Sequence, residues 1–151
     1  MKRFILSVLT AVFLAAQVTA GNNVIVTQEV RAEFEREFGK EIEVTWSKMD
    51  AVYTASFLQN GKEIHAFYGE EGEFLGVGQY SSTKRIPLGI ERIMEQRFPG
   101  SIIHQAYEFS PENGGLVYGF LISDQRKIRV VKVGMDGDVQ IIKSRKKNSH
   151  R

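Results

Sequence analysis

The chain has 151 residues, an apolar share of 42%, 20 Lys and Arg against 18 Asp and Glu, and no cysteine. That length suits one domain, or two small halves sharing a core. The missing cysteines exclude a disulfide scaffold, a thiol nucleophile and a thiolate metal site. Residues 21–142 carry 13 cations against 18 acids, so the body lacks the electrostatic footprint of a nucleic-acid binder.

Residues 1–20 read as an export signal. Lys2 and Arg3 supply its charged start, and Phe4 to Ala16 an apolar run too short to span a bilayer. Val18-Thr19-Ala20 places small residues at the cleavage positions. Cleavage is expected near Ala20, which sends the mature chain to the periplasm or beyond. No later apolar stretch is long enough to cross a membrane.

A helix is predicted from about Thr27 to Phe38. Thr27 suits its N-cap, Gly39 its C-cap, and Val30, Phe34 and Phe38 fall four apart on one stripe. Strands follow by alternation. Ile42, Val44 and Trp46 share one face, then Tyr53, Ala55 and Phe57, then Ile64, Ala66 and Tyr68. Asn60-Gly61 marks a tight hairpin, because both central positions of such a turn need φ above zero. Glu71-Gly72 turns into a fourth strand over 73–80, where Gly76 and Gly78 suggest a bulge or close packing.

Residues 81–86 form a short polar link. A second helix is predicted from about Pro87 to Phe98, with Pro87 at its first position and a stripe of Ile90, Met94 and Phe98 joined by Ile93. Four more strands are predicted over 102–109, 116–122, 127–133 and 138–143. Neither three-turn helix is stable alone, so each must lie on a sheet. Lys143, Arg145, Lys146, Lys147 and Arg151 make the end strongly basic. Residues 144–151 read as a disordered tail, a solubilising end or a contact for anionic surfaces.

The two stretches say the same thing in the same order. Val30, Phe34 and Phe38 recur sixty positions later as Ile90, Met94 and Phe98, while Tyr53 and Phe57 recur after sixty-five as Tyr118 and Ile122. The expected organisation is α+β: a first helix-plus-sheet repeat over 21–86 and a second over 87–143, each one helix on a four-stranded antiparallel sheet.

The helix ending in Phe-Gly or Phe-Pro-Gly, then Val44-x-Trp46, Tyr53-x-Ala55-x-Phe57 and an acidic-Gly turn, repeated after a signal, resembles the PepSY-like, β-lactamase-inhibitor-like family of small exported bacterial proteins. The resemblance implies tandem helix-plus-four-strand units with a broad sheet surface opposite the helices, and a partner-gripping role. The lack of cysteines departs from the namesake inhibitor.

Chemistry-bearing residues are sparse. His65, His104 and His150 show no metal-ligand spacing, no serine sits in a Gly-x-Ser-x-Gly turn, and Glu70-Glu71-Gly72-Glu73 and Asp136-Gly137-Asp138 offer too few oxygens for a calcium loop. No cofactor is implied. The aromatics Trp46, Tyr53, Phe67, Tyr68, Tyr107 and Tyr118 are the candidate partner-binding residues. Adjacent Phe67 and Tyr68 must point to opposite faces of their strand, Trp46 and Tyr53 also suit the core, and Phe67 with its neighbours on the side left bare by the helices is the best candidate. The expectation is an exported, non-enzymatic binding module for a cell-envelope protein, as inhibitor or accessory. The alternatives are a small hydrolase using strand carboxylates with His65 and His104, and a self-associating or small-molecule-binding protein.

Overall fold

The computed structural model describes residues 24–148, together with residues 8–10 and 12. Apart from those four, the expected export signal lies outside the described residues, as do residues 149–151. Val8 and Leu9 are helical and fully buried. Among the described residues no helix is long and apolar enough to cross a membrane.

The fold is α+β. Between residues 24 and 148 it holds two α-helices, a 3-10 turn and eight strands. The chain divides into two compact units, one of residues 24–79 with 110–114, the other of 80–109 with 115–148.

The first unit opens with α1 (Gln28–Phe38). The Thr27 hydroxyl accepts from the Val30 backbone N–H at 3.3 Å, which satisfies one orphan donor of the first turn. Four strands follow: β1 (Val44–Met49), β2 (Val52–Gln59), β3 (Lys62–Gly69) and β4 (Phe74–Ser81). β1–β2, β2–β3 and β3–β4 all pair antiparallel. Asn60 and Gly61 have φ of 52° and 75°, the left-handed pair that a two-residue hairpin needs. The β3–β4 register shifts between Phe67 and Tyr68, so that Phe67 faces Gly76 while Tyr68 faces Phe74. The bulge foreseen from the glycines is therefore real, and Leu75 is the extra residue. Gly72 has φ of 89°, and its Cα lies so near α1 that an added Cβ would sit 3.1 Å from the Glu29 backbone.

The core of this unit is aromatic. Val30 and Phe34 from α1 pack on Tyr53, Ala55, Phe57, Ala66 and Tyr68, with Phe38, Trp46 and Phe74 around them. Phe34 meets four rings, with centroids 5.3 to 6.5 Å away. Tilted and edge-on pairs of this kind add stability beyond area burial.

In the second unit a 3-10 turn (Thr83–Arg85) leads to α2 (Leu88–Arg97). Pro87 sits at the N-cap, one place earlier than expected, and no side chain caps this helix. The strands are β5 (Ile102–Pro111), β6 (Val117–Ser123), β7 (Lys127–Gly134) and β8 (Val139–Lys146), paired antiparallel in the ladders β5–β6, β6–β7 and β7–β8. The core is mostly aliphatic: Ile90 and Met94 rest on Ala106, Tyr118, Phe120, Ile122, Val131 and Val133.

The basic end differs from expectation. Residues 144–146 are strand, not tail: Ser144, Arg145 and Lys146 pair with Arg129, Ile128 and Lys127. The Lys147 N–H then donates to the Arg126 carbonyl at 2.8 Å. Low apolar content misled here because ladder hydrogen bonds, not buried side chains, hold this stretch.

Candidate functional site

Pleating decides which side of each unit a strand residue serves. In the first unit Trp46, Tyr53 and Tyr68 point toward α1 and belong to its core. Trp46 is half-buried, its ring 5.4 Å from Phe34 and 6.1 Å from Tyr68. The Tyr53 hydroxyl donates to the Ile25 carbonyl at 3.5 Å, and the Lys48 ammonium lies 4.7 Å from the centre of its ring. In the second unit Tyr118 lies in the core beneath α2, stacked on Phe120 at 6.2 Å. Burial pushes the Tyr118 hydroxyl pKa up, with help from nearby Glu108.

Phe67 and Tyr107 lie on the helix-free side of their units, yet both are fully buried. Tyr107 meets Tyr80 edge-on at 5.1 Å. The six aromatics are thus not one bare platform. Tyr53, Tyr68 and Tyr118 are core, Trp46 is half core, and Phe67 and Tyr107 are covered. For the four rings beneath the helices the physical reason is volume: a short helix on a four-stranded sheet leaves a deep space that large rings fill best.

The helix-free side of the first unit is built of other residues. Because Val44, Trp46, Tyr53, Ala55 and Phe57 face α1, the residues between them face away. Two rows then cross the ladders: Thr45, Ser56, His65 and Gly78 in one, Ser47, Thr54, Phe67 and Gly76 in the other. Thr45 and Ser47 are exposed, Thr54 and Ser56 half-buried. Leu58, at the end of β2, is 72% exposed. The result is a pleat of four hydroxyls on β1 and β2, each able to donate and accept, while His65, Phe67, Gly76 and Gly78 farther along the same rows are buried. Sequence reasoning followed the rings and passed over this face. The signal was present in the alternate spacing of Thr45-x-Ser47 and Thr54-x-Ser56.

The two described histidines have separate partners. His65 is buried and its Nε2 is 3.0 Å from Glu63 Oε1. His104 is the bulged residue of β5, and its Nε2 is 2.7 Å from Ser123 Oγ. A serine beside a histidine has the outline of a nucleophile and base, but Ser123 is 1% exposed and no substrate atom can approach it. Among the described residues no group of three His, Asp or Glu could hold a metal ion.

The second unit also carries a cleft of about 540 Å³, lined by Pro99 and Gly100 after α2 and by Asp124, Gln125, Arg126, Lys127 and Arg129. Asp124 organises its wall. One carboxylate oxygen accepts from the Arg126 and Lys127 backbone N–H groups at 2.7 and 2.8 Å, and the other from the Arg129 guanidinium at 2.6 Å. Those backbone donors, then Arg129, pull its carboxyl pKa down to about 2.

No sequence-family model matches this chain, and no curated protein matches it. Solved structures do. A DUF2874 family protein from Bacteroides ovatus matches with a TM-score of 0.67 at 14% identity, over 82% of this chain and 89% of its own. A BLIP-like protein from Bacteroides fragilis matches with a TM-score of 0.63 at 9% identity, over 86% and 95%. A protein from Bacteroides eggerthii, provisionally described as periplasmic, matches with a TM-score of 0.65 at 10% identity, over 82% and 90%. At these identities the likeness is one of fold.

Proposed function

We propose that this chain is an exported, non-enzymatic binding module that engages a protein of the cell envelope through the helix-free side of its sheet. One observation carries the reading: α1 packs on one side of its strands, and the β1–β2 part of the other side presents the exposed Thr45 and Ser47 hydroxyls beside Thr54 and Ser56. Rows of hydroxyls on a stiff sheet suit a partner that supplies backbone or amide groups.

The fold likeness to a BLIP-like protein and to a protein provisionally described as periplasmic supports this assignment. So do the signal-like start and the resemblance to PepSY-like, β-lactamase-inhibitor-like proteins. In this reading the chain is two copies of one helix-plus-four-strand repeat, and it inhibits or assists an envelope enzyme. The hydrolase alternative gains nothing from the geometry, because His65 and His104 are engaged by Glu63 and Ser123 respectively.

The test is cross-linking in a periplasmic extract with a photoreactive group at Ser47. A discrete partner band should form with the native pleat and vanish when Thr45→Arg is added, while circular dichroism stays unchanged. A band that persists through Thr45→Arg and Ser56→Arg defeats the proposal.

A further inference from the structure

The cleft beside Asp124 belongs to the second unit and differs in chemistry from the hydroxyl pleat of the first. Its lining holds three cations, Arg126, Lys127 and Arg129, against one acid. Asp124 already accepts from two backbone N–H groups and from Arg129, so its charge is locally spent. Arg126 is exposed and Lys127 half-buried, and neither has an ion-pair partner among the described residues.

Pairing brings further cations to the same end of the β7–β8 hairpin. Lys146 stands opposite Lys127, Arg145 opposite Ile128, and the Lys147 N–H is tied to the Arg126 carbonyl. The cleft cations Arg126, Lys127 and Arg129 are thus joined by Lys146 opposite Lys127, with Arg145 and Lys147 on the same strand end, on a chain whose residues 21–142 carry an excess of acids. A solubilising surface would spread such charge; holding it together costs mutual repulsion, which an anionic ligand relieves.

From this arrangement we infer that the cleft is a binding site for a phosphate-bearing ligand, held by Arg126 and Lys127 with Arg129 fixed behind them. A monocarboxylate would neutralise only one of the two unpaired cations, whereas a phosphate monoester carries charge for both. Its several oxygens accept from a guanidinium fork and an ammonium together. The cleft volume falls within the roughly 300–1,000 Å³ common for small-molecule sites, so it has room for the group that bears the phosphate. The Asp124 hydrogen bonds pre-set the loop, so little ordering remains to be done on binding.

The experiment is titration of the purified chain with glycerol phosphate, with vesicles of phosphatidic acid in phosphatidylcholine, and with glutarate as a carboxylate control. Saturable binding of glycerol phosphate assigns a soluble ligand, and binding of the vesicles alone assigns a lipid headgroup; both support the site. Arg126→Glu with Lys127→Glu should weaken either at least about tenfold, since it reverses the two unpaired charges. Arg126→Ala alone should weaken it less, and Lys84→Glu with Arg85→Glu, the same charge change outside the cleft, should leave it intact. Thermal melts of each variant check the fold. No binding to either phosphate probe, equal binding of glutarate, or equal loss in the Lys84 and Arg85 variant overturns the inference.

Discussion

The two units solve one packing problem with different materials. In the first, Phe34 of α1 is ringed by Phe38, Trp46, Phe57 and Tyr68. In the second, Ile90 and Met94 of α2 rest mostly on valine, isoleucine and alanine, with Tyr118 and Phe120 the aromatic pair. Their helix starts differ too: Thr27 caps α1 through its hydroxyl, while α2 has no side-chain cap. So do their hairpins. β2–β3 turns on left-handed Asn60-Gly61, and the β6–β7 turn is held by the Asp124 carboxylate. The lesson is that layer and pairing tolerate exchange of aromatic for aliphatic filling. The exchange then sets where each unit is vulnerable.

The strongest way to break the comparison is to empty each core in turn. Phe34→Ala removes the ring at the centre of four aromatic contacts and should cost about 3–5 kcal/mol by urea unfolding. Met94→Ala should cost about 2–4 kcal/mol, because a flexible thioether leaves a void that its aliphatic neighbours refill more easily. Equal losses would show that the aromatic cluster adds nothing beyond its volume.

Capping gives the next effect. Thr27→Ala should destabilise by about 1 kcal/mol in the same assay. Pro87→Ala should change stability by less, since it removes no cap hydrogen bond, although it frees the backbone of the unfolded chain.

Rings in a core bring a liability that aliphatics avoid. The Tyr68 hydroxyl is buried and has no hydrogen-bond partner among the described residues. Burial pushes its pKa above the ordinary tyrosine value, with Glu33 and Glu37 adding to the shift. Tyr68→Phe should therefore leave stability unchanged or raise it by up to about 1 kcal/mol, because an unpaired buried hydroxyl is removed. The raised pKa also has a pH signature. The neutral phenol's contribution is complete below the unfolded value of about 10 and is lost as pH climbs toward the folded one. Melting temperature should fall more steeply above about pH 10 in the native chain than in Tyr68→Phe.

The smallest effect at neutral pH sharpens the hairpin contrast. The Asp124 pKa is lowered, so its contribution is present above the ordinary 3.8 and disappears as pH falls through about 2. Asp124→Asn should melt below the native chain at neutral pH, and the gap should close between about pH 4 and pH 2. Asn60-Gly61 carries no titrating group, so Asn60→Gly should show no such closure.

Much of the fold was legible because its signals are local. The stripe of Val30, Phe34 and Phe38, the Thr27 cap, and the Asn60-Gly61 turn each act within a few residues, and the structure has them in place. Element ends were less legible. β8 runs to Lys146 because its partner β7 offers hydrogen bonds that polar residues accept as readily as apolar ones. The candidate site was the least legible part. Alternation shows that Phe67 and Tyr68 point opposite ways, but not that both end up buried.

Taken alone, the order of residues determined the elements, the α+β class and the amphipathic stripes, because backbone preference and periodicity are short-range properties. Tertiary structure decided which rings became core, that Thr45, Ser47, Thr54 and Ser56 share a face, and that Arg126 and Lys127 stand beside Arg145, Lys146 and Lys147. Those outcomes depend on strand register and on the volume beneath each helix, which arise only when distant segments meet.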